Sequence, residues 1–505
     1  MRKWGPLIAV CLGAFMLLMD TTVVLVALPD IADANGSTYA DLQWVMDGYA
    51  LALAALLLGG GALADIVGRK RVYMVGLGLF TAASLLCGVA PGTGTLVAAR
   101  VLQGVGGAAM LSTAIALIGS AYEGRDRGVA FGVWGAVSGG AAALGPVVGG
   151  LLTEHIGWRS IFLVNLPVGA LTLVLAARWL RESHGAKGTR VDIAGAATFT
   201  ASAAALTYAL IRAGEHGLGE TGVLLSFAGA AVAAVLFVVV ELRSTAPMLD
   251  LGLLRNASFT GVLIGGLTLQ FAAFSWMPQV SVWLQGGLGH SAVQAGLMIS
   301  PLAAVAFIVA ALAGRLMHNV PPRWMIGGGL LFVGAGMVMQ TRVDAGSDWT
   351  VLVPGLVTAG VGVGLGMPAL ATAMLSVVPP QRSGMAGGAL NTFRQLGFAL
   401  GVAMTGVLFR DQAEASLSDA GVPNAHAATE ALAGGRPAPG ASPAQSADAF
   451  ATGLDAVTVM SAVVGLAAAV LVVLLVRTRG AAARPAAAQA PADADRAPAA
   501  QTTSA

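Results

Sequence analysis

The sequence is divided into apolar runs of about 20 residues that are separated by short polar segments. A helix rises ~1.5 Å per residue, so a run of this length matches the ~30 Å hydrocarbon core of a bilayer. Fourteen such runs occur, at 7–29, 44–66, 72–90, 96–118, 128–152, 161–180, 192–211, 222–241, 257–279, 292–314, 324–341, 349–376, 385–409 and 452–476. We therefore predict an all-α membrane protein with fourteen transmembrane helices.

The composition agrees with a membrane protein and excludes some partners. Only 10% of the 505 residues are charged and 56% are hydrophobic, which is too little charge to keep a soluble chain of this length dispersed. The net charge of +2 gives no indication of a nucleic-acid partner. Cys11 and Cys87 both lie inside apolar runs, so we expect them to be buried and reduced.

Lysine and arginine indicate the orientation. Most of the 27 Lys and Arg residues fall in alternate loops, starting with Arg2 and Lys3 and continuing with the cluster at 69–71. Loops on the cytoplasmic side of a membrane carry an excess of these residues. We therefore expect a multi-pass protein of the plasma (cell inner) membrane, with both termini in the cytoplasm.

Two polar segments lie outside the predicted spans. Residues 411–450 are rich in Ala, Pro, Gly and Asp and are predicted to form an external, largely flexible loop. Residues 480–505 have low complexity and are predicted to be a disordered cytoplasmic tail.

The segment GALADIVGRKR ends the second predicted helix on the cytoplasmic side. Small residues such as Gly61 let a membrane helix pack closely on a neighbour. Asp65 stands at the helix end, before a tight turn at Gly68 and the basic residue Arg69. A carboxylate there can face the positive end of another helix or pair with an arginine. The segment is thus a candidate cytoplasmic gate, the alternative being that its basic residues only set the topology.

The segment ALGPVVGG lies in the fifth predicted helix. Pro146 removes a backbone donor and kinks a helix. Gly145, Gly149 and Gly150 flank it and allow a partner helix to slide along the surface. This pattern favours a dry, deformable seam that gates the protein, and the alternative is a close-packing patch with no special role.

Several motifs carry a family resemblance. GALADIVGRKR resembles the loop signature of the major facilitator superfamily. Five further motifs resemble that superfamily or its fourteen-helix drug–proton antiporter branch, and they are AARVLQGVGGAAM, ALGPVVGGLL, LMDTTVVLVALPDI, WRSIFLVNLPVG and LNTFRQLGFALG. Their order along the chain makes the resemblance specific, and it covers residues 7 to about 409 and the last helix. The chain departs from the family pattern at Ala141 and Asp47.

The resemblance implies the major facilitator fold, with two six-helix bundles and two inserted helices. The expected domains are 1–180 for the first bundle, 181–255 for the inserted pair and 256–479 for the second bundle. ALAGRLMHNVPPRWMI, residues 311–326, looks like a decayed copy of the gate segment and agrees with an internal repeat. Two such halves rocking about a midplane site are the arrangement used for alternating access.

Four charged residues fall inside predicted spans, at Asp20, Asp47, Arg100 and Arg394. Because a charge near the bilayer centre costs ~2.5–3.5 kcal/mol on insertion scales, such groups are expected to face the bundle interior. The resemblance favours Asp20 as the proton-coupling carboxyl, with Arg100 tuning it and Asp47 as a further candidate. The alternative for Asp20 is a permanent ion pair with Arg100, and Asp47 and Arg394 can each contact the substrate or make a structural pair.

Amide, aromatic and methionine side chains in the spans would suit a cavity for bulky apolar ligands. The alternative for each is ordinary packing or lipid contact. The candidates for drug contact are Gln103, Asn165, Gln270, Phe274, Trp276, Asn391 and Arg394.

Motifs of other function classes are absent from the sequence. It contains no GxxxxGK[ST] phosphate loop, no HExxH and no GxSxG, and we expect neither an enzyme nor a cofactor or metal requirement. We predict a proton-coupled antiporter that works as a monomer in the lipid bilayer and exports hydrophobic or cationic drugs or antibiotics, conferring resistance. The alternatives are an exporter dedicated to one endogenous metabolite, amino acid or siderophore, and a membrane sensor that does not transport.

Overall fold

The computed structural model describes residues 3–184, 192–216, 219–245, 247–316, 320–341, 343–378 and 383–477. Within these ranges the chain forms helices joined by short turns and has no β-strand. The predicted tail 480–505 lies outside the described residues.

The first half of the chain holds eight helices. They are α1 Gly5–Val23, α2 Leu28–Asn35, α3 Tyr39–Val67, α4 Arg69–Gly88, α5 Thr93–Ala121, α6 Gly124–His155, α7 Ser160–Leu163 and α8 Asn165–Trp179. Thr38 and Asp41 start α3 through a reciprocal capping box, in which the Asp41 amide donates to the Thr38 hydroxyl at 3.2 Å. Gly68 ends α3 with a φ of 114°, a value that favours glycine.

Two helices follow the first half, α9 Ile193–His216 and α10 Thr221–Arg243. The described helices of the second half are α11 Ala257–Phe274, α12 Met277–Val282, α13 Ala292–Leu316, α14 Pro322–Gln340, α15 Val353–Ser376, α16 Ser383–Asp419, α17 Ala425–Ala433 and α18 Pro443–Leu475. Helix α9 packs on α3 and α16, one from each half, and α10 packs on α9. Only 11% of the residues in the most apolar stretch of α10 are buried inside the protein. This helix therefore presents most of its surface to lipid.

Each predicted apolar segment lies mainly in helical structure, although 7–29 runs from α1 into α2, 161–180 from α7 into α8, and 257–279 from α11 into α12. Twelve of the described helices are long and apolar enough to cross a membrane, and the bent pair Tyr39–Leu57 and Gly59–Val67 within α3 makes thirteen. The remaining predicted segment, 128–152, lies in the 32-residue helix α6. The count of fourteen membrane spans stays a prediction.

The segment 411–450 is largely helical, which corrects the expectation of a flexible loop. Helix α16 continues to Asp419, α17 follows, and α18 begins at Pro443. Arg410 holds this segment against the rest of the protein. Its side chain is only 2% exposed and its Nη1 lies 3.4 Å from the Glu430 carboxylate of α17. The same guanidinium donates to the Ile211 carbonyl oxygen of α9 at 3.3 Å and faces the Tyr39 ring. The Ala- and Pro-rich composition of the segment does not reveal these contacts.

The two halves meet at one end of the helices. The Gln43 amide donates to the Val402 carbonyl oxygen at 3.0 Å, which joins α3 to α16. The Val293 amide nitrogen of α13 donates to the Glu154 carboxylate of α6 at 3.4 Å. Both contacts lie at the end predicted to be external. We call this set of contacts between α3 and α16 and between α6 and α13 the outer seam.

We expect Gly296→Ala to open the outer seam. Gly296 packs on the backbone of α6, and a Cβ there would overlap the Pro146 carbonyl oxygen, an overpacking that costs about 1–3 kcal/mol. Chemical crosslinking of Glu154→Cys to Val293→Cys should therefore fall in the Gly296→Ala background. Gly328→Ala is the control, since the described structure leaves open space around Gly328. Equal crosslinking yields in the two backgrounds would contradict the expectation.

Candidate functional site

Asp20 of α1 is a fully buried carboxylate with three donors. Its Oδ2 lies 2.5 Å from Nη1 of Arg100, and its Oδ1 accepts from the Gln103 and Asn165 amides, each at 2.8 Å. The donors come from α5 and α8, and all four residues are buried, with at most 1% of each exposed. The predicted contact between Asp20 and Arg100 is present, and two of the predicted drug-contact residues belong to the same cluster.

Ser84 of α4 extends this cluster and was missed by the sequence reasoning. Its hydroxyl accepts from the Gln103 amide at 2.9 Å and from the Asn165 amide at 3.3 Å, and it donates to the Phe80 carbonyl oxygen at 2.8 Å. A lone serine in an apolar span carries little signal, because such hydroxyls commonly bond only their own helix.

Arg100 is fixed by more than its carboxylate partner. Its Nε donates to the Val45 carbonyl oxygen of α3 at 3.0 Å, and its Nη1 donates to Gln103 at 2.7 Å. The guanidinium also lies over the Tyr49 ring, 4.3 Å from the centroid, and 5.7 Å from the Phe162 centroid. Aromatic faces stabilise a buried cation, so the cluster ties α3 to α1, α5 and α8.

Asp47 of α3 is also 0% exposed, but its environment is different. Neither carboxylate oxygen has a partner among the described residues. One turn before it, Gln43 bonds α16, and two turns after it the Ala54 carbonyl oxygen accepts from Thr392 of α16 at 2.9 Å. Asp47 therefore lies on the face of α3 that packs against the other half.

The remaining drug-contact candidates lie in the second half. Arg394 of α16 donates to the Asn391 amide oxygen at 3.1 Å, and a Cβ at Gly266 of α11 would lie 3.3 Å from Arg394 Cγ. Gln270 is one turn beyond Gly266 on α11, and its buried Oε1 lacks a partner in the described part of the chain. The structure thus places these two predicted residues of α16 and one of α11 on adjoining helices.

The two aromatic candidates, Phe274 and Trp276, belong to packed surfaces. Trp276 is 0% exposed and its indole nitrogen donates to the Ala273 carbonyl oxygen at 3.1 Å. Phe274 is half-buried and packs against the main apolar core. Drug contact by either residue stays a prediction.

The cytoplasmic gate candidates form a local network at the turn from α3 to α4. Asp65 and Arg69 make an ion pair at 2.9 Å, and the Arg69 amide donates to the Ser183 carbonyl oxygen. The Glu182 carboxylate accepts from the Lys70 amide at 2.9 Å, as acidic groups do at helix N-termini. In the described structure no atom comes within 4 Å of a Cβ at the remaining candidate, Gly61. The network joins the turn to the end of α8, and gating by it stays a prediction.

The glycines of ALGPVVGG lie at close backbone contacts. Gly149 packs on α1, where a Cβ would lie 2.6 Å from the Val23 carbonyl oxygen, and Gly145 packs on Thr22 of the same region. Gly150 packs on α13, where a Cβ would lie 2.5 Å from the Ala292 carbonyl oxygen. Alanine at these positions would require the helices to separate. Gly150 and Pro146 therefore lie in the outer seam against α13, whereas Gly145 and Gly149 pack within the first half, and gating by the motif stays a prediction.

Comparison with known families agrees with this architecture. The sequence model described as Major Facilitator Superfamily matches residues 10–402. The chain belongs to the major facilitator superfamily. The predicted all-helical major facilitator fold and the resemblance to this superfamily are confirmed, and the protein is a multi-span membrane transporter and not an enzyme.

Similar proteins are named for drug resistance and export. The chain is 37% identical over 401 residues to multidrug resistance protein Stp of Mycobacterium tuberculosis (strain ATCC 25618 / H37Rv), covering 79% of this chain and 74% of that protein. It is 37% identical over 430 residues to puromycin resistance protein pur8 of Streptomyces alboniger, covering 83% and 84%. It is 30% identical over 489 residues to the tetracenomycin C resistance and export protein of Streptomyces glaucescens, covering 93% and 91%.

A solved structure shares the fold. The crystal structure of a bacterial homolog of the human lysosomal transporter Spinster, in an inward-facing and unoccupied conformation, aligns with a TM-score of 0.64 at 18% identity. The alignment covers 94% of this chain and 97% of that one. This likeness concerns the fold alone.

We expect Arg100→Ala to destabilise the protein strongly, because it leaves the Asp20 carboxylate buried without its counter-charge. Removing one partner of a buried pair costs about 3–5 kcal/mol. Arg212→Ala is the control, since Arg212 pairs with Glu220 at 3.1 Å while both side chains are about one-third exposed, and a surface pair contributes about 0–1 kcal/mol. Thermal unfolding in detergent measures both. The double variant Arg100→Ala/Asp20→Asn should regain part of the loss, and equal effects of the two arginine variants would contradict the expectation.

Proposed function

We propose that this protein is a proton-coupled antiporter that exports hydrophobic or cationic drugs across the plasma membrane, with both termini in the cytoplasm. The names of its relatives support drug export as the broad function. The observation that carries proton coupling is the Asp20 carboxylate, which is buried among three donors in the first half.

Proton binding at Asp20 would change the charge of the whole cluster. With Asp20 ionised, its charge balances that of Arg100. A proton on Asp20 removes this balance and leaves Arg100 as a buried cation held by the Val45 carbonyl oxygen, Gln103 and the Tyr49 ring. Because an uncompensated buried charge is strongly unfavourable, the helices that carry the cluster would have to rearrange. Proton uptake would in this way be linked to the rocking of the halves.

Asp47 supplies a second protonatable group at the boundary between the halves. Its carboxylate oxygens have no donor in the described structure, so a charge there is uncompensated unless a cation approaches. A cationic drug and a proton can satisfy this carboxyl group in turn. Competition of this kind would exchange one for the other as the cavity opens to each side.

An exporter of a single endogenous metabolite would use the same machinery. One relative, 37% identical over 436 residues, is named a probable actinorhodin transporter of Streptomyces coelicolor (strain ATCC BAA-471 / A3(2) / M145), which favours this as the second candidate. Substrate breadth separates the two candidates, because a drug exporter accepts unrelated compounds and a dedicated exporter accepts one.

Efflux of a fluorescent cationic dye from cells tests the proposal. We expect wild-type efflux to stop when a protonophore collapses the proton gradient. Asp20→Asn at equal membrane abundance should abolish it, because this side chain can no longer take up a proton. Asp33→Asn is the control, since Asp33 is exposed on α2. Efflux that continues in Asp20→Asn at the wild-type rate would exclude Asp20 as the coupling group, and efflux insensitive to the protonophore would exclude antiport with protons.

A further inference from the structure

Arg394 is a half-buried cation of α16 that has no acidic partner among the described residues. The two fully buried arginines in that part of the chain have one each, since Arg100 pairs with Asp20 and Arg410 with Glu430. Within the described structure the hydrogen bond of Arg394 goes to Asn391, an amide of its own helix, and its buried Nε has no partner. A guanidinium presents five donors in a planar fork, so most of the donors of Arg394 make no hydrogen bond to the described part of the chain.

The guanidinium lies near the level of the innermost hydrogen bond of the outer seam. Among the described residues, that bond between α16 and α3 joins Thr392 to Ala54. Side chains on a helix lean toward its N-terminus, and the bond from Arg394 to Asn391 shows that this one does. Thr392 and Arg394 are about 200° apart around the helix, so Thr392 faces α3 while Arg394 faces α11 of the second half.

The neighbours of Arg394 are suited to a polar ligand. Gly266 allows α11 to approach, with Arg394 Cγ 3.3 Å from the position of a Cβ there. Gln270, one turn along α11, has a buried amide oxygen without a partner in the described structure. Asn391, which already accepts from Arg394, retains its amide donors. The two adjoining helices thus carry donors and one acceptor as well as the positive charge of Arg394.

We propose that Arg394, with Asn391 and Gln270, binds the acidic group of an exported drug, a carboxylate or phenolate on an otherwise apolar compound. A planar oxyanion can accept two parallel bonds from a guanidinium. This inference rests on the proposed export function and names a substrate class for it. The acid would engage the second half, while the proton-coupling carboxyls Asp20 and Asp47 stay in the first half.

Transport of a matched pair of probes tests this inference. The probes are a fluorescent aromatic carboxylic acid and its neutral methyl ester, with the cationic dye used above as a third arm. We expect wild-type protein to export the acid, and Arg394→Gln to reduce that efflux about tenfold or more, because a charge-assisted hydrogen bond is lost. Efflux of the ester and of the dye should stay within about twofold of wild type. Arg255→Gln, at an exposed arginine before α11, is the control.

Further variants and a binding measurement keep the test independent of folding. Arg394→Lys keeps the charge but not the fork, and should retain part of the acid efflux. Asn391→Ala and Gln270→Ala leave the charge in place and should weaken binding of the acid to purified protein in lipid nanodiscs, with little effect on the ester. Of these variants, Arg394→Gln should weaken binding of the acid most.

Each contrary result has a separate meaning. Dye efflux by wild-type protein without transport or binding of the acid would overturn the inference and leave the proposed export function standing. An equal loss of all three probes in Arg394→Gln would also overturn it, because Arg394 would then be a counter-charge for Asp47 or a structural group. Absence of dye efflux in wild-type protein would count against the proposed export of cationic drugs. Transport and binding of the aromatic acid by wild type and Arg394→Gln would still test the role of Arg394.

Discussion

The ion pair between Asp20 and Arg100 is the contact on which the first half depends. Neither group can stay charged in an apolar interior alone, and each needs donors or acceptors beyond its partner. Three helices, α5, α8 and α3, supply them through Gln103, Asn165 and the Val45 carbonyl oxygen. The packing of α1, α3, α5 and α8 therefore depends on the charges of one ion pair. A structural pair and a coupling site are therefore compatible readings of the same geometry.

The outer seam depends on a different constraint, the close approach of backbones. In a bilayer no hydrophobic force drives helices together, so association relies on packing by small residues and on polar contacts. Gly150 and Gly296 bring α6 and α13 into backbone contact, while Gln43 and Thr392 bond α3 to α16. These contacts join the two halves at the end predicted to be external, and residues of both halves, among them Val23 and Phe259, share one apolar core. Under the proposed transport mechanism the outer seam would have to open during alternating access.

Most of the helices could be predicted from the sequence, because the length and apolarity of a segment determine whether it can cross a membrane. The gate and seam motifs were recognisable, and the ion pair followed from two charges that the bilayer forces inward. The contacts of Ser84, Tyr49 and Arg410 were not predictable, since they depend on which helices become neighbours. The order of the segment 411–450 was missed for the same reason. Its composition indicates a loop, but Arg410 holds it through Glu430.

The two halves differ in how their charges are satisfied, and this difference bears on mechanism. In the first half the charges of Asp20 and Arg100 are paired, and Gln103, Asn165 and the Val45 carbonyl oxygen add further hydrogen bonds. In the second half Arg394 has no acidic partner among the described residues, and most of its donors make no hydrogen bond there. A buried pair resists any change of charge unless its surroundings change as well, whereas donors without a partner are available to a ligand. Under the proposed mechanism, proton binding would therefore act in the first half and ligand binding largely in the second, with Asp47 at the boundary where the two processes would meet.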